Sequence, residues 1–234
     1  MINKILEEKG EDLLYSAARI YSELITLGYH IVLGRKGKEY HIQLRFRYDS
    51  FFHLTGLQHL KDLTYPSQNK ERIYKEIRNR NLTYKDISKS QYFEEFHIKE
   101  RIEYLKNLET ILDSCKLTFL INPREYAKYT KIRADYLFEY KFLMKELIIL
   151  YLFIVKESHS QISNECKGCS FFRNHDVDFT RGASKATVLF IEKYQNVDTR
   201  NQIDKVLYRN PVYKDKRQKI HTENRRVSNL VQFS

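Results

Sequence analysis

Apolar side chains recur at helical intervals in the amino-terminal part of the chain. Within residues 4–27 the apolar positions on this spacing are Ile5, Leu13, Leu14, Ala17, Ile20, Leu24 and Leu27. Such spacing is typical of an amphipathic helix, and Gly28 follows at the place where a helix commonly ends. The pattern therefore predicts a first helix over residues 4–27.

Two extended segments follow this helix. Residues 29–33 and 39–46 are rich in β-branched and aromatic side chains, and a short turn with glycine at both ends separates them. This arrangement predicts a β-hairpin. Its tip is basic because it contains Arg35 and Lys36. A cationic turn is usually a solvated surface, but on a protein that binds nucleic acid it can hold the phosphate backbone.

The next segment, residues 51–60, places His53 among mostly apolar side chains and predicts a helix. An imidazole in such a setting exchanges protons near neutral pH after only a small environmental shift. Arg45 and Arg47 precede it and would attract and orient an anion. These two arginines have the same strand parity, so they share one face, which could also be a solvated rim. The alternative for His53 is a hydrogen-bonded histidine of the core.

The remaining periodicity predicts a helical insertion and then a sheet. Helices are expected over residues 68–80 and 91–113, within an insertion at about 64–114. Further along, apolar runs and alternating patterns predict strands. These segments are residues 117–121, 131–142, 147–155 and 187–192. The predicted fold class is α+β: an antiparallel sheet of about five strands with an N-terminal helix and a helical insertion.

The amino-acid composition limits the classes of protein to which the chain can belong. The chain has an apolar fraction of 42% and an aromatic fraction of 14%, which is enough for a folded core, and a formal net charge of +11. Such an excess of Lys and Arg indicates an anionic partner, with nucleic acid or an acidic membrane surface as the usual candidates. The longest apolar run, residues 147–155, is far shorter than the roughly 20 residues of a membrane-spanning helix. Without a signal-peptide pattern at the amino terminus, we predict a cytoplasmic protein with no membrane segment.

Cysteine usage leaves one question open. An odd and small number of cysteines does not describe a disulfide framework and is typical of a reducing compartment. Cys166 and Cys169 form a C-x-x-C, and His159 and His175 flank it. Four zinc ligands are therefore conceivable. Because there is no second C-x-x-C, two cysteines at the start of a strand are the preferred interpretation.

The carboxyl-terminal part has a different composition. Residues 196–234 contain nine Lys and Arg against four Asp and Glu, a net charge of +5, with few large apolar groups. A segment of this kind can be flexible, docked on the domain, or ordered on a polyanion. We divide the chain into an α+β domain over residues 1–195 and a basic tail over residues 196–234.

Three local motifs, in this order, resemble those of a known group of nucleases. They are the His-Leu-Thr-Gly-Leu core at residues 53–57, the Cys-Ser-Phe-Phe segment at 169–172, and Asp-Phe-Thr-Arg-Gly at 178–182 followed by Thr-Val-Leu at 187–189. Together they are similar to the phage-associated nuclease branch of the barnase, EndoU, colicin-nuclease and RelE superfamily. The resemblance covers roughly residues 1–194.

The resemblance implies an RNA-cleaving site on the exposed face of the sheet that works without metal or other cofactor. In that superfamily the ribose 2′-hydroxyl attacks the adjacent phosphate, which leaves a cyclic phosphate and a free 5′-hydroxyl. The chemistry needs a general acid, a general base and cations near the phosphate. By motif, the implied catalytic residues are Arg47, His53, Ser170, Thr180 and Arg181. The expected RNA-binding residues are Arg35, Lys36, Arg45, Arg173 and Lys185.

Each of these assignments has a structural alternative. Thr180 and Arg181 could belong to a simple turn in which Gly182 supplies a positive φ, and Ser170 could be an ordinary strand position. We assign no role to His59, because on a helix a residue six positions after His53 would not lie on the same face as His53. The other histidines, His41, His97, His159, His175 and His221, carry no further sign of function.

Two other functions remain open at this stage. A basic chain with 18 Tyr and 14 Phe could stack bases and hold phosphates without cutting them. It could also be a toxin-like module controlled by an acidic antitoxin or inhibitor protein. Turnover of RNA separates the first alternative from an enzyme, and co-purification of an acidic protein favours the second.

Overall fold

The computed structural model of the chain describes residues 11–65, 68–114, 117–158, 160, 162–197 and 200–214. Residues 4–10 of the predicted first helix lie outside the described residues, as do His159 among the conceivable zinc ligands and residues 215–234 of the predicted tail.

Seven α-helices are found in the described part of the chain. They are α1 (Leu13–Ile25), α2 (Tyr48–Leu54), α3 (Lys70–Arg78), α4 (Tyr84–Ile87), α5 (Ile98–Tyr104), α6 (Leu108–Ser114) and α7 (Pro123–Tyr126). The predicted first helix is confirmed as α1, which begins where the Asp12 side chain accepts a hydrogen bond from the backbone N–H of Tyr15 at 2.9 Å. Of these helices, none is long and apolar enough to cross a bilayer.

Eight strands make up the sheet. They are β1 (Leu27–Arg35), β2 (Lys38–Arg45), β3 (Leu117–Ile121), β4 (Tyr136–Leu143), β5 (Leu147–Lys156), β6 (Glu165–Arg173), β7 (Ala183–Val197) and β8 (Arg200–Arg209). The predicted hairpin is confirmed as β1 and β2. The cysteine pair lies in β6, and Cys166 is the second residue of that strand.

The predicted sheet of about five antiparallel strands is wrong. Seven strands close into a mixed barrel in the order β1-β2-β6-β5-β4-β3-β7, and β7 pairs back with β1. The eighth strand, β8, pairs with β7 outside the ring. Closure depends on the length of β7, because one edge pairs with β1 while the other pairs first with β3 and then with β8. Among the strands described, only β2 and β6 pair in parallel.

The strand predicted to start at the two cysteines is confirmed as β6. Its bounds were not predicted, and β8 was missed, because the side chains of both strands do not alternate between apolar and polar. β6 mixes charged, small and aromatic residues (ECKGCSFFR), and β8 is predominantly polar (RNQIDKVLYR). Neither has the period of two that marks a strand with one wet face. β8 lies within residues 196–234, so this part of the segment assigned to the tail is docked on β7.

The helices and one face of the sheet share a single hydrophobic core. Tyr21 of α1, Phe51 of α2 and Ile102 of α5 pack in the same cluster as Ile31 of β1 and Leu152 of β5. The other face of β3, β4 and β5 carries a smaller aromatic cluster beneath α7. The helices over residues 70–114 therefore belong to the main core.

The barrel is only partly closed between β2 and β6. β2 and β6 pair at only two positions, Gln43 with Glu165 and Leu44 with Cys166. Beyond Cys166 this edge of β6 leaves β2 and faces α2 and α5. The guanidinium of Arg101 on α5 donates to the carbonyl oxygen of Phe171 on β6 at 3.2 Å. Helical side chains thus meet an open strand edge, and a cleft forms along this seam.

Candidate active site

A cleft of about 460 Å³ opens between the exposed edge of β6 and the helices. Three parts of the chain form its walls: the turn after α2, the segment that leads into α5, and the end of β6 with the loop that follows. We call it the histidine cleft. The side chains that define it are His59, Phe96, His97, Arg101, Ser170 and His175.

The backbone at Gly56 brings His59 to this cleft. The helix α2 ends at Leu54, Gly56 adopts a φ of 79°, and the short 3-10 turn that follows contains His59. A Cβ added at Gly56 would lie only 2.8 Å from Cδ of Arg101. The left-handed backbone and the close approach both favour glycine. The predicted continuous helix over residues 51–60 is therefore wrong beyond Leu54, and so is the reason for setting His59 aside.

His59 is held as a neutral imidazole. Its ring stacks on Phe96 with centroids 4.2 Å apart and planes inclined by 5°, and the side-chain nitrogen of Gln58 lies 3.1 Å from its Nε2. Burial, helped by the charges of Arg101 and Lys61, lowers the pKa of His59 to about 4, because both effects disfavour the protonated ring. At neutral pH the ring is therefore able to accept a proton.

Arg101 supplies a positive charge beside His59. Its Nε donates to the carbonyl oxygen of Phe96 at 3.0 Å and its Nη1 to that of Phe171, while the guanidinium lies 5.0 Å from the ring centroid of Phe172. Burial lowers the pKa of Arg101 to about 10, which leaves the group charged at neutral pH. Among the described residues it makes no ion pair. A partly buried cation that donates to carbonyl groups and makes no ion pair favours a bound anion.

Two further imidazoles line the cleft, one directly before α5 and one in the loop after β6. The rings of His97 and His175 stack with centroids 4.1 Å apart. Glu100 lies 2.8 Å from Nε2 of His175 and 3.4 Å from Nη1 of Arg173, which also pairs with Glu146 at 2.6 Å. These contacts attach the loop after β6 to α5 and hold the two walls of the cleft together.

One group of side chains has a metal-ligand arrangement. His97, Glu100 and His175 each offer a ligand atom within 4.8 Å of the others, and no second such group is found in the described ranges. The cysteines are not part of it. Burial raises the pKa of both Cys166 and Cys169 to about 12, which disfavours the thiolate that binds metals.

Five of the residues predicted from sequence gather around the loop 174–182. They are Ser170, Arg173, Thr180, Arg181 and Lys185. The first two line the histidine cleft, whereas the other three line two adjoining depressions that share Asp176 and Val177 with it. The hydroxyl of Thr180 donates to Asp178 at 2.6 Å. Gly182 has a φ of 79°, so the predicted turn at this position is confirmed.

His53 lies outside the histidine cleft. It belongs to a group of charged side chains beside α2 that we call the His53 cluster: Asp49, His53, Lys70, Glu157 and Lys167. Lys70 donates to Nε2 of His53 at 2.7 Å, and burial together with the Lys70 charge lowers the pKa of His53. Lys167 pairs with Glu157 at 2.6 Å and with Asp49 at 3.5 Å. The charges of this cluster neutralise one another.

The other four predicted cations are also remote from the residues that line the cleft. Arg47 pairs with the buried Glu165 at 2.7 Å, and Arg45 interacts electrostatically with the same carboxylate. Arg47 follows the end of β2 and precedes α2, so it is not a strand residue. Arg35 and Lys36 lie at the tip of the β1–β2 hairpin. The structure does not bring these groups to the same pocket as Ser170 and Arg173.

Sequence reasoning gave no catalytic role to any of four residues of the cleft: His59, His97, Arg101 and His175. For His59 a local signal existed, because glycine commonly interrupts a helix and Gly56 precedes it by three residues. Arg101 had no such signal. It contacts Phe171, 70 residues away along the chain, and periodicity within one segment carries no information on that contact.

The comparisons with known proteins agree with the resemblance seen in the motifs. The family model described as phage-Barnase-EndoU-ColicinE5/D-RelE like nuclease4 matches residues 13–210. The matched range includes all the helices and strands that the structure describes, as well as the residues that line the histidine cleft. Searches of the curated proteins and of the solved structures found no match.

Proposed function

The chain belongs to this family of phage barnase, EndoU, colicin and RelE-like nucleases, and from that premise we propose that it is an endoribonuclease that cuts RNA in the histidine cleft. The ribose 2′-hydroxyl attacks the adjacent phosphate and leaves a 2′,3′-cyclic phosphate and a free 5′-hydroxyl. The protein must supply a group that accepts the 2′ proton and a cation that stabilises the charge gathering on the phosphate, while a water molecule protonates the leaving 5′ oxygen. Neither role requires a metal ion.

One observation carries the proposal: the neutral imidazole of His59 lies beside the guanidinium of Arg101, which has no carboxylate partner among the described residues. In the proposed reaction His59 is the general base. Arg101 faces the phosphate, where its charge gains most as the pentavalent phosphorane forms. A protein cation that is already paired with a carboxylate offers much less to a substrate anion.

The predicted residues around the loop 174–182 extend this assignment. Ser170 and Arg173 lie within the cleft, where the hydroxyl of Ser170 positions the RNA backbone, while Arg173 is paired with Glu100 and Glu146 and holds the loop in place. Thr180, Arg181 and Lys185 line the adjoining depressions and form a path for the neighbouring nucleotides. We assign the base to His59 rather than to His53, because His59 lies in the cleft beside Arg101, whereas His53 lies outside it among charges that already pair with one another.

The experiment that tests the proposal is incubation of the purified protein with total cellular RNA in excess EDTA, followed by mapping of the cut ends. We expect a discrete set of fragments that end in cyclic phosphates. Loss of cleavage in EDTA, with recovery on addition of Mg²⁺, would point to a metal-dependent nuclease and contradict the proposal. His59→Ala serves as the matched inactive protein, which excludes a contaminating ribonuclease.

A second substrate tests the chemistry directly. An oligonucleotide with a single 2′-deoxy linkage lacks the nucleophile at one position only. When the deoxy linkage replaces one that is normally cut, we expect cleavage to be lost at that linkage and kept at the other cut sites. Cleavage at the deoxy linkage would be incompatible with attack by the 2′-hydroxyl, although it would still be compatible with a nuclease.

The high net charge of +11 favours a second candidate, a non-catalytic nucleic-acid binder. The two functions differ in turnover. If His59→Ala keeps its RNA affinity and loses cleavage, the enzyme is supported. If the unsubstituted protein binds RNA and never cuts it, the binder is correct. A role as a toxin would require an acidic inhibitor protein that covers the basic surface, and co-purification of such a protein is the observation that supports it.

A further inference from the structure

The histidine cleft contains, between α5 and the loop after β6, a metal-ligand set that the RNA-cleavage chemistry leaves unused. We propose that His97, Glu100 and His175 bind Zn²⁺ and that the bound ion closes the cleft to RNA. Two imidazoles and one carboxylate form a donor set that is common in protein zinc sites with an open position. The ligand atoms of the three side chains already lie within 4.8 Å of one another.

Two of the ligands are fixed by local structure. His97 directly precedes α5 and adopts a left-handed backbone with a φ of 50°, and Glu100 lies in the first turn of that helix. Residues three apart lie on neighbouring positions of a helical surface. The imidazole of His97 and the carboxylate of Glu100 are therefore presented to the same side of the cleft.

Tertiary structure supplies the third ligand. His175 belongs to the loop after β6, and contacts to Glu100 hold this loop against α5: His175 directly at 2.8 Å and its neighbour Arg173 at 3.4 Å. In the metal-free state the hydrogen bond to His175 partly satisfies the carboxylate. Coordination replaces this hydrogen bond with bonds from Zn²⁺ to Glu100 and to both imidazoles.

Zn²⁺ is the ion that this donor set selects among the common divalent cations. Imidazole nitrogen is a borderline ligand that suits Zn²⁺, whereas Mg²⁺ and Ca²⁺ prefer sites built entirely of oxygen. The side chains of His97 and His175 are partly exposed, so the ion can reach the site from solvent. Water or a phosphate oxygen would complete the coordination shell.

The expected consequence for activity rests on the proposed function, whereas binding itself does not. The ligands share the cleft with His59, Arg101 and Ser170. An ion bound by these ligands narrows the space for the RNA strand. It also draws phosphate oxygens toward itself and away from Arg101. We therefore expect Zn²⁺ to inhibit cleavage and EDTA to restore it.

Binding is tested on the full-length untagged protein, made metal-free and titrated with Co²⁺. Histidine and carboxylate ligands in four- or five-coordinate geometry give visible absorption bands much stronger than those of aqueous Co²⁺, and Zn²⁺ should abolish them by competition. The test variants are His97→Asn and His175→Ala. Asparagine is chosen at position 97 because it tolerates a left-handed backbone. The matched control is Glu146→Gln, which removes the other carboxylate partner of Arg173 but no proposed ligand.

We expect Glu146→Gln to keep the bands and each ligand variant to weaken Co²⁺ binding at least tenfold. Thermal unfolding of each variant verifies that it is folded. Absence of enhanced absorption in the unsubstituted protein, or equal affinity in folded ligand variants, would overturn the proposal. Because these measurements contain no RNA, failure of the metal site is distinguishable from failure of the proposed nuclease activity, which is read separately in EDTA.

Discussion

His53 and His59 lie six residues apart, both are half-buried, and burial lowers the pKa of both, yet their surroundings differ. His53 accepts a hydrogen bond from Lys70 within a cluster that also contains carboxylates. His59 lies beside Arg101, whose described neighbours include no carboxylate partner. Burial alone therefore does not distinguish His53 from the ring that we propose as the general base. The balance of the neighbouring charges does.

The difference follows from how each group of charges is held. In the His53 cluster, Lys167 pairs with Glu157 and Asp49, so the charges satisfy one another and support α2 on β6. In the histidine cleft, the carbonyl groups of Phe96 and Phe171 hold Arg101. A carbonyl orients a guanidinium but does not cancel its charge. We therefore propose that Arg101 attracts phosphate, whereas Lys167 of the cluster is already paired.

The largest expected effect separates the two histidines. His59→Ala should lower kcat for RNA cleavage by about 10²–10⁴-fold, the usual contribution of a general base. His53→Ala should lower it far less, because that ring is outside the cleft. Single-turnover cleavage of one defined RNA measures both. If His53→Ala proves the more damaging of two equally folded proteins, the base belongs to the His53 cluster.

The second comparison uses the two arginines. Arg101→Met should lower kcat by about 10²–10³-fold, the loss typical when one electrostatic donor to the transition state is removed. Arg47→Met breaks the pair with the buried Glu165 and should lower the melting temperature more than it lowers kcat. Measuring kcat and thermal unfolding for both variants checks the contrast. Equal losses of kcat would show that Arg101 has no special role.

The third comparison tests how His59 is positioned. Gly56→Ala puts a Cβ into a backbone with a φ of 79°, 2.8 Å from Arg101, and should cost about 1–3 kcal/mol of unfolding free energy as well as activity. Gly37→Ala is the matched control, since its φ is 74° but an added Cβ meets no atom within 4 Å. We expect Gly37→Ala to lose stability and keep its kcat. Denaturant unfolding and cleavage assays give the two quantities.

The smallest expected effect concerns pH. The pKa of His59 is about 4 in the folded protein and near 6.5 when unfolded. Between these values the unfolded state binds more protons, so this histidine destabilises the fold as the pH drops from about 6.5 to 4. His59→Gln should therefore lose less thermal stability than the unsubstituted protein between pH 7 and 5.

The pKa of His59 also predicts how kcat/KM changes as the pH is lowered. A base that stays neutral down to about pH 4 should keep kcat/KM high at pH 5, where an ordinary histidine would already be protonated. A pH profile of kcat/KM on a short RNA measures this limb. A midpoint near pH 6.5 would indicate that another imidazole is the base.

Local patterns were sufficient where the structure is local. The helix α1 and the β1–β2 hairpin follow from side-chain periodicity and from glycine at the turn, and both are confirmed. The three short motifs were sufficient for the family. Among the cleft residues, Ser170 and Arg173 were identified because they lie in or next to one of those motifs.

Periodicity failed where distant segments decide the outcome. β8 is polar enough to resemble a solvated tail, yet the long β7 offers it an unpaired edge. The break at Gly56 depends on how closely α5 approaches it. Neither effect is contained in the segment concerned, because each depends on what the rest of the chain brings against it.

The sequence by itself determined the family, the first helix, the hairpin and the basic character of the protein, since motifs, local periodicity and charge are properties of short segments or of composition. Only the tertiary structure decided that seven strands close into a barrel and that His59 and Arg101 meet beside the open edge of β6. The physical reason is that strand closure and the pKa of a half-buried ring both depend on contacts between residues far apart in the chain.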